Sequence, residues 1–229
     1  MLVLLAMPNA AVPQAERSRL TTWVGLFIAL FGLPVIRQAI RTVSHDAGTS
    51  LVVVREVLYF ASAGTLLMLV KRGEKLPLKT IGLGTSVWWK SVLWGLVAML
   101  LCGGAATLIG IVITGGIGRT SPFNNLPLSV CVLIVFRAGI VEELFYRGFA
   151  IERLRAIGAG RFASAGIPLL IFGVGHYAGF WVDVLQALVL GGILTGFYLW
   201  RRDLAANIIA HTLVDLIGSG LIVRILDSV

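Results

Sequence analysis

Long apolar runs alternate with short polar or basic breaks along the chain, and the runs read as seven spans, at about 21–37, 51–70, 92–114, 126–147, 163–180, 183–200 and 204–224. A helix needs about 20 apolar residues to cross a hydrocarbon core of roughly 30 Å. The residue-by-residue alternation of an outer-membrane strand is missing. The expected fold class is therefore all-α, a polytopic transmembrane helical bundle of about seven spans. Residues 1–20 read as a frayed or interfacial lead-in, and residues 21–229 as one transmembrane domain with its chemistry in 126–220. Met1 to Ala6 is apolar but has no positive residue before it, so it makes a poor signal peptide.

The breaks carry the topology. Lys71 to Lys79 is a basic loop, Trp88 and Trp89 before Lys90 fit a headgroup-level anchor, and Ser121 to Asn125 is turn chemistry ahead of Pro127. With seven spans, one side of the membrane receives Arg17, Arg19, the 71–79 loop, Lys90, Arg153, Arg155, Arg161, Arg201 and Arg202, and the other only Arg37, Arg41, Arg119 and Arg224. Cytoplasmic loops concentrate Lys and Arg. The expectation is a multi-pass protein of the plasma (inner) membrane with a cytoplasmic N-terminus.

Composition agrees: 58% of residues are hydrophobic and 13% charged, against roughly 45–50% and about 25% in a soluble domain. The formal charge of +8 sits in clusters between spans instead of along one face, so no nucleic-acid partner is expected. Cys102 and Cys131 lie in apolar stretches, where cysteine behaves as a small hydrophobe, and suggest no disulfide framework.

Ionisable groups inside such spans are costly and mark function. Three patterns hold them: Glu142-Glu143-x-x-x-Arg147, Phe172-x-x-x-His176 and His211-x-x-x-Asp215. Glu143 and Arg147, four apart, share a helix face as an ion pair, while Glu142 points away and is expected to be free, as a general base requires. A purely structural ion pair needs one glutamate, not two. Counting rise from the expected turns at 178–182 and 201–203, His176 lies on the order of 6 to 9 Å below one membrane face and His211 about 12 Å from the other, so the imidazoles can approach each other. Asp215, one turn past His211, can orient that ring or bind a cation. Gly173, Gly175 and Gly179 beside His176, and Gly191, Gly192 and Gly196 on the next span, permit close helix packing. Arg137 has no evident partner, Arg55 with Glu56 reads as an interfacial pair, and His45 as a loop residue.

The stretches Glu142-Glu143-Leu144-Phe145-Tyr146-Arg147-Gly148, Phe172-Gly173-Val174-Gly175-His176 and His211-Thr212-Leu213-Val214-Asp215 resemble the three motifs of the CPBP family, the CAAX-protease and bacteriocin-processing (Abi) intramembrane proteases. The resemblance implies an intramembrane endopeptidase cutting near the C-terminus of a membrane-associated or lipid-anchored peptide or protein. Glu142 then matches the catalytic glutamate, Glu143 and Arg147 its ion-paired neighbours, and His176 and His211 the motif histidines. The family's third motif usually ends in asparagine where Asp215 stands. Two mechanisms follow: Glu142 with His176 activates water while His211 stabilises the oxyanion, or Glu142, His176 and His211 hold a divalent metal, most naturally zinc, as a metalloprotease would. The H-E-x-x-H spacing of zinc proteases is absent, which favours the metal-free route. A cavity open to the cytoplasmic side is expected. Arg153 and Arg155 serve as positive-inside anchors or bind a substrate carboxylate or anionic lipid. Competing readings are a non-catalytic immunity or scaffold protein using the polar cluster for packing, and a proton or ion pathway.

Overall fold

The computed structural model describes residues 14–43, 48–115 and 125–227. His45, the turn residues 121–124 and the first thirteen residues of the lead-in lie outside them. Among the described residues the structure is helical with no strand. Helix α1 (Gln14–Val43) is followed by α2 (Thr49–Gly73), whose last turn is π-helical, and by a 3₁₀ turn, Leu78–Ile81. Next come α3 (Trp88–Thr114), α4 (Leu128–Arg137), a π-helical segment (Ala138–Ile151) and α5 (Glu152–Ala156). The last four are α6 (Arg161–Gly175), α7 (Trp181–Arg201), α8 (Leu204–Gly218) and α9 (Leu221–Leu226). The expected spans overlap helices with two differences: the span at 163–180 ends at Gly175, and the span at 204–224 is divided into α8 and α9 by a turn at Ser219 and Gly220. Four helices, Arg19–Val43, Thr49–Gly73, Trp88–Ile113 and Trp181–Arg201, are long and apolar enough to cross a bilayer, and Arg161–Gly175 and Leu204–Gly218 are shorter apolar helices. The chain is an integral membrane protein.

One continuous helix, formed by α4, the π segment and α5, makes the axis of the bundle. From Val141 to Leu154 every residue is buried, with α1, α2, α6 and α8 packed around it. It carries too many charges to face hydrocarbon, and wrapping by other helices removes it from lipid. The outer helices show the complementary pattern: α3 turns Leu93, Leu96, Leu100, Leu108 and Val112 outward, as a surface facing hydrocarbon must. Close packing against the axis requires Gly148, since a Cβ there would lie 2.8 Å from a methyl of Leu204 and 3.0 Å from the Ile81 carbonyl oxygen.

Polar clamps fix the end of the bundle that carries the basic loops. Asp203 caps α8, its Oδ1 accepting from the Ala206 amide at 3.2 Å and its Oδ2 from Ser91 Oγ at 2.7 Å. Arg153 is buried and donates to Glu74 (2.8 Å) and Thr80 (3.1 Å). It holds the 71–79 loop against the axis, which is a structural role and leaves no head group for a substrate carboxylate.

Candidate active site

The axis helix brings Glu142 and Glu143 to the middle of the bundle, and each has its own cation. Arg147 Nη1 donates to Glu143 Oε1 at 2.7 Å, the pairing expected at this spacing. The second pairing corrects the expectation that Glu142 is free: Arg137 donates to Glu142 Oε1 and, through Nε, to Glu56 Oε2 at 2.6 Å. In an α-helix, residues five apart face different directions. The i→i+5 bonded segment that begins at Ala138 winds less per residue, which brings Arg137 and Glu142 onto one side. Glu56, expected to be interfacial, is fully buried and is shared by Arg55 (2.6 Å) and Arg137.

Glu143 is saturated. Besides Arg147 it accepts from Asn207 Nδ2 at 3.1 Å and from His211 Nδ1 at 2.8 Å. Asn207, His211 and Asp215 are successive members of one face of α8. The i, i+4, i+8 repeat is visible in the sequence, although Asn207 falls outside the motif. His211 Nε2 lies 3.6 Å from Asp215 Oδ2.

Glu142 differs from Glu143 in one atom. Its Oε2 is buried and has no hydrogen-bond partner, and an unsatisfied buried acceptor of this kind calls for an explanation. His176 Nε2 lies 3.9 Å from it. His176 stands just past the end of α6, where its Nδ1 donates to the Phe172 carbonyl oxygen at 2.7 Å. That bond puts the ring proton of a neutral imidazole on Nδ1 and leaves Nε2 as an acceptor aimed at Glu142. Two acceptors 3.9 Å apart suit a single water donating to both.

Phe172, the first residue of the second motif, links the groups. Its ring centroid is 4.4 Å from that of His176 and 6.2 Å from that of His211, and the Arg147 guanidinium stacks on it at 4.4 Å. The two imidazoles therefore flank one aromatic ring. Gly191 of α7 closes this side: its carbonyl accepts from Arg147 Nη2 at 3.1 Å, and a Cβ there would lie 2.9 Å from that nitrogen. Glu142 is within electrostatic reach of both His176 and His211, and Asp215 of His211, Glu142 and His176. All six motif residues thus gather in one region.

A cavity of about 250 Å³ opens onto Glu142 and His176, with Leu33, Pro34, Arg37, Arg55, Tyr59 and Arg137 among its other walls. These residues belong to the C-terminal half of α1, the N-terminal half of α2, the axis helix from Arg137 to Tyr146 and the C-terminal end of α6. That is the end of the bundle opposite the basic loops, so a cytoplasmic cavity and a cytoplasmic N-terminus, both expected from sequence, exclude each other.

Residues 124–217 match the model of the family described as type II CAAX prenyl endopeptidase Rce1-like. This stretch is Rce1-like. The match bears out the CPBP resemblance and covers all three motifs. No curated protein and no solved structure matches the chain. The Rce1-like stretch contains the whole axis helix from Leu128 together with α6, α7 and nearly all of α8, whereas α1 and α2, which supply most of the remaining cavity wall, lie outside it.

Among the described residues no three His, Cys, Asp or Glu side chains form a group able to hold an ion. Glu142 Oε1 is held by a guanidinium and Nδ1 of each histidine by an acceptor, which leaves Glu142 Oε2 and the two Nε2 atoms without hydrogen-bond partners.

Proposed function

We propose that the protein is an intramembrane endopeptidase hydrolysing a peptide bond near the C-terminus of a membrane-associated or lipid-anchored substrate. The observation that carries this reading is the pair of unoccupied acceptors, Glu142 Oε2 and His176 Nε2, 3.9 Å apart on a cavity wall.

Glu142 is the general base. A water donating to Glu142 and His176 attacks the peptide carbonyl carbon as its proton passes to Glu142; that proton then goes to the departing amine nitrogen as the C–N bond breaks. His211, held by Glu143 at Nδ1, presents Nε2 to the site, and the doubly protonated ring donates there to the developing oxyanion. Glu143, Arg147 and Asn207 position His211. No step needs a metal.

The excess of loop cations on one side supports a cytoplasmic N-terminus in the plasma membrane. The cavity mouth then faces away from the cytoplasm, and the substrate segment reaches it from that side. Single cysteines at Thr42 and Lys75, probed with an impermeant thiol reagent on intact cells, should label only at Thr42; labelling only at Lys75 would reverse the orientation.

Purified protein in lipid nanodiscs should cleave membrane-anchored peptides. Glu142→Gln, which keeps shape and the Arg137 contact, should lose about 10²-fold or more of that activity, the scale of a general base, while unfolding at an unchanged temperature. Full cleavage by Glu142→Gln would refute the role. Unaltered biological activity of that variant would favour the scaffold reading.

A further inference from the structure

The cavity beside Glu142 is lined by three arginines, Arg37, Arg55 and Arg137, and the charges of two are balanced. Arg55 is paired with Glu56, and Arg137 with Glu56 and Glu142. Arg37 has no hydrogen bond or ion pair among the described residues. It is half-buried one turn beyond Leu33 and Pro34, which line the same cavity, and it is within electrostatic reach of Tyr59 and Tyr146, which line it too. An unmatched guanidinium beside low-dielectric walls is a poor resting arrangement and a good receptor, because it binds oxyanions through a planar fork of donors.

We propose that Arg37 is the subsite for the C-terminal carboxylate of the substrate, so that the enzyme measures its cleavage point from the free end of the peptide. The inference rests on the peptidase reading above and names a residue outside the Rce1-like stretch. Three features favour a peptide carboxylate over an anionic lipid headgroup. Arg37 shares one cavity with the Glu142–His176 pair, so an anion held there belongs to a molecule that can also present a carbonyl to the water. Tyr59, Tyr146 and Phe172 line the same cavity, ring systems suited to peptide side chains. The wall has one surplus positive charge, which a single carboxylate neutralises.

The test compares two peptides of identical sequence, one ending in a free carboxylate and one in an amide, in nanodiscs of neutral lipid. In the unmodified protein the acid should have a kcat/KM roughly ten- to hundredfold above the amide, as expected for a charge-assisted hydrogen-bonded anchor, with the difference mainly in KM. In Arg37→Gln the acid-to-amide ratio should fall close to one, and in Arg37→Lys it should be partly kept. Binding of both peptides to the uncleaving Glu142→Gln protein, measured by fluorescence anisotropy, should show the same preference and the same loss in the Arg37→Gln, Glu142→Gln double variant. Glu142-dependent cleavage with a ratio of one in the unmodified protein, or a ratio that survives Arg37→Gln, overturns the proposal and leaves the peptidase reading standing. Absence of any Glu142-dependent cleavage removes the peptidase reading, and the binding arm then decides the carboxylate site alone. An Arg37 effect that appears only when anionic lipid is added assigns the residue to a headgroup and likewise overturns the proposal.

Discussion

Arg137 and Glu142, five residues apart on one helix, are bonded to each other, and Arg137 also holds Glu56 of α2. The catalytic candidate is thereby tied to a neighbouring helix through a single guanidinium. Arg137→Ala strands the buried Glu142 carboxylate, leaves Glu56 to Arg55 alone, and should cost about 3–5 kcal/mol, the penalty for breaking a buried ion pair from one side. Arg137→Lys should restore only part, because one ammonium cannot reproduce two separately directed N–H donors. Unfolding in detergent followed by circular dichroism measures both, and an unchanged midpoint for Arg137→Ala would disprove the tie.

Two glycines of α7 should respond in opposite ways. A methyl at Gly191 meets Arg147 and the Phe172 ring, at 2.9 and 3.0 Å, whereas nothing lies within 4 Å of one at Gly196. Gly191→Ala should lose about 1–3 kcal/mol through overpacking and lower cleavage by displacing Arg147 from Glu143. Gly196→Ala should gain up to about 1 kcal/mol of helix propensity with unaltered cleavage. Equal effects at the two sites would contradict the packing described here.

Asp215 stands where the CPBP motif usually has asparagine. Its carboxylate is 3.6 Å from His211 Nε2, close enough to orient the ring through a water. Asp215→Asn should keep cleavage, since an amide can both orient the ring and donate to an oxyanion. Asp215→Ala should lose up to about 10²-fold, the scale of a misplaced catalytic group. Steady-state kinetics of the two variants decide the matter, and similar losses in both would show that the negative charge itself is needed.

Metal dependence is checked directly. Protein purified without chelator should hold much less than one zinc per chain and keep its cleavage rate after dialysis against EDTA. Stoichiometric zinc together with activity that disappears on dialysis and returns with added zinc would replace the water-activation route with a metal-bound one.

Most of the fold was legible because apolar runs of bilayer length have one structural solution. The Glu143–Arg147 pair was legible for a similar reason, since a spacing of four is a local property of any helix. Arg137 and Glu142 were not, because their meeting depends on a π-helical winding that residue types do not announce. Glu56 was misplaced at the interface because its burial is decided by packing against the axis helix, which lies some eighty residues further along the chain. Asn207 could have been found by extending the His211 and Asp215 spacing one step backwards. Arg37 had no local signal at all: its significance comes from a cavity assembled by four separate segments.

The axis helix also constrains biosynthesis. Arg137, Glu142, Glu143, Arg147, Glu152 and Arg153 occupy one stretch that would enter hydrocarbon unaided only at a steep energetic penalty. Glu56 and Glu74 emerge from the ribosome before that stretch, while Asn207, His211 and Arg202 emerge after it. Stable insertion therefore waits for the last third of the chain, and a nascent protein truncated ahead of α8 should be handed to quality-control proteases instead of being retained in the membrane.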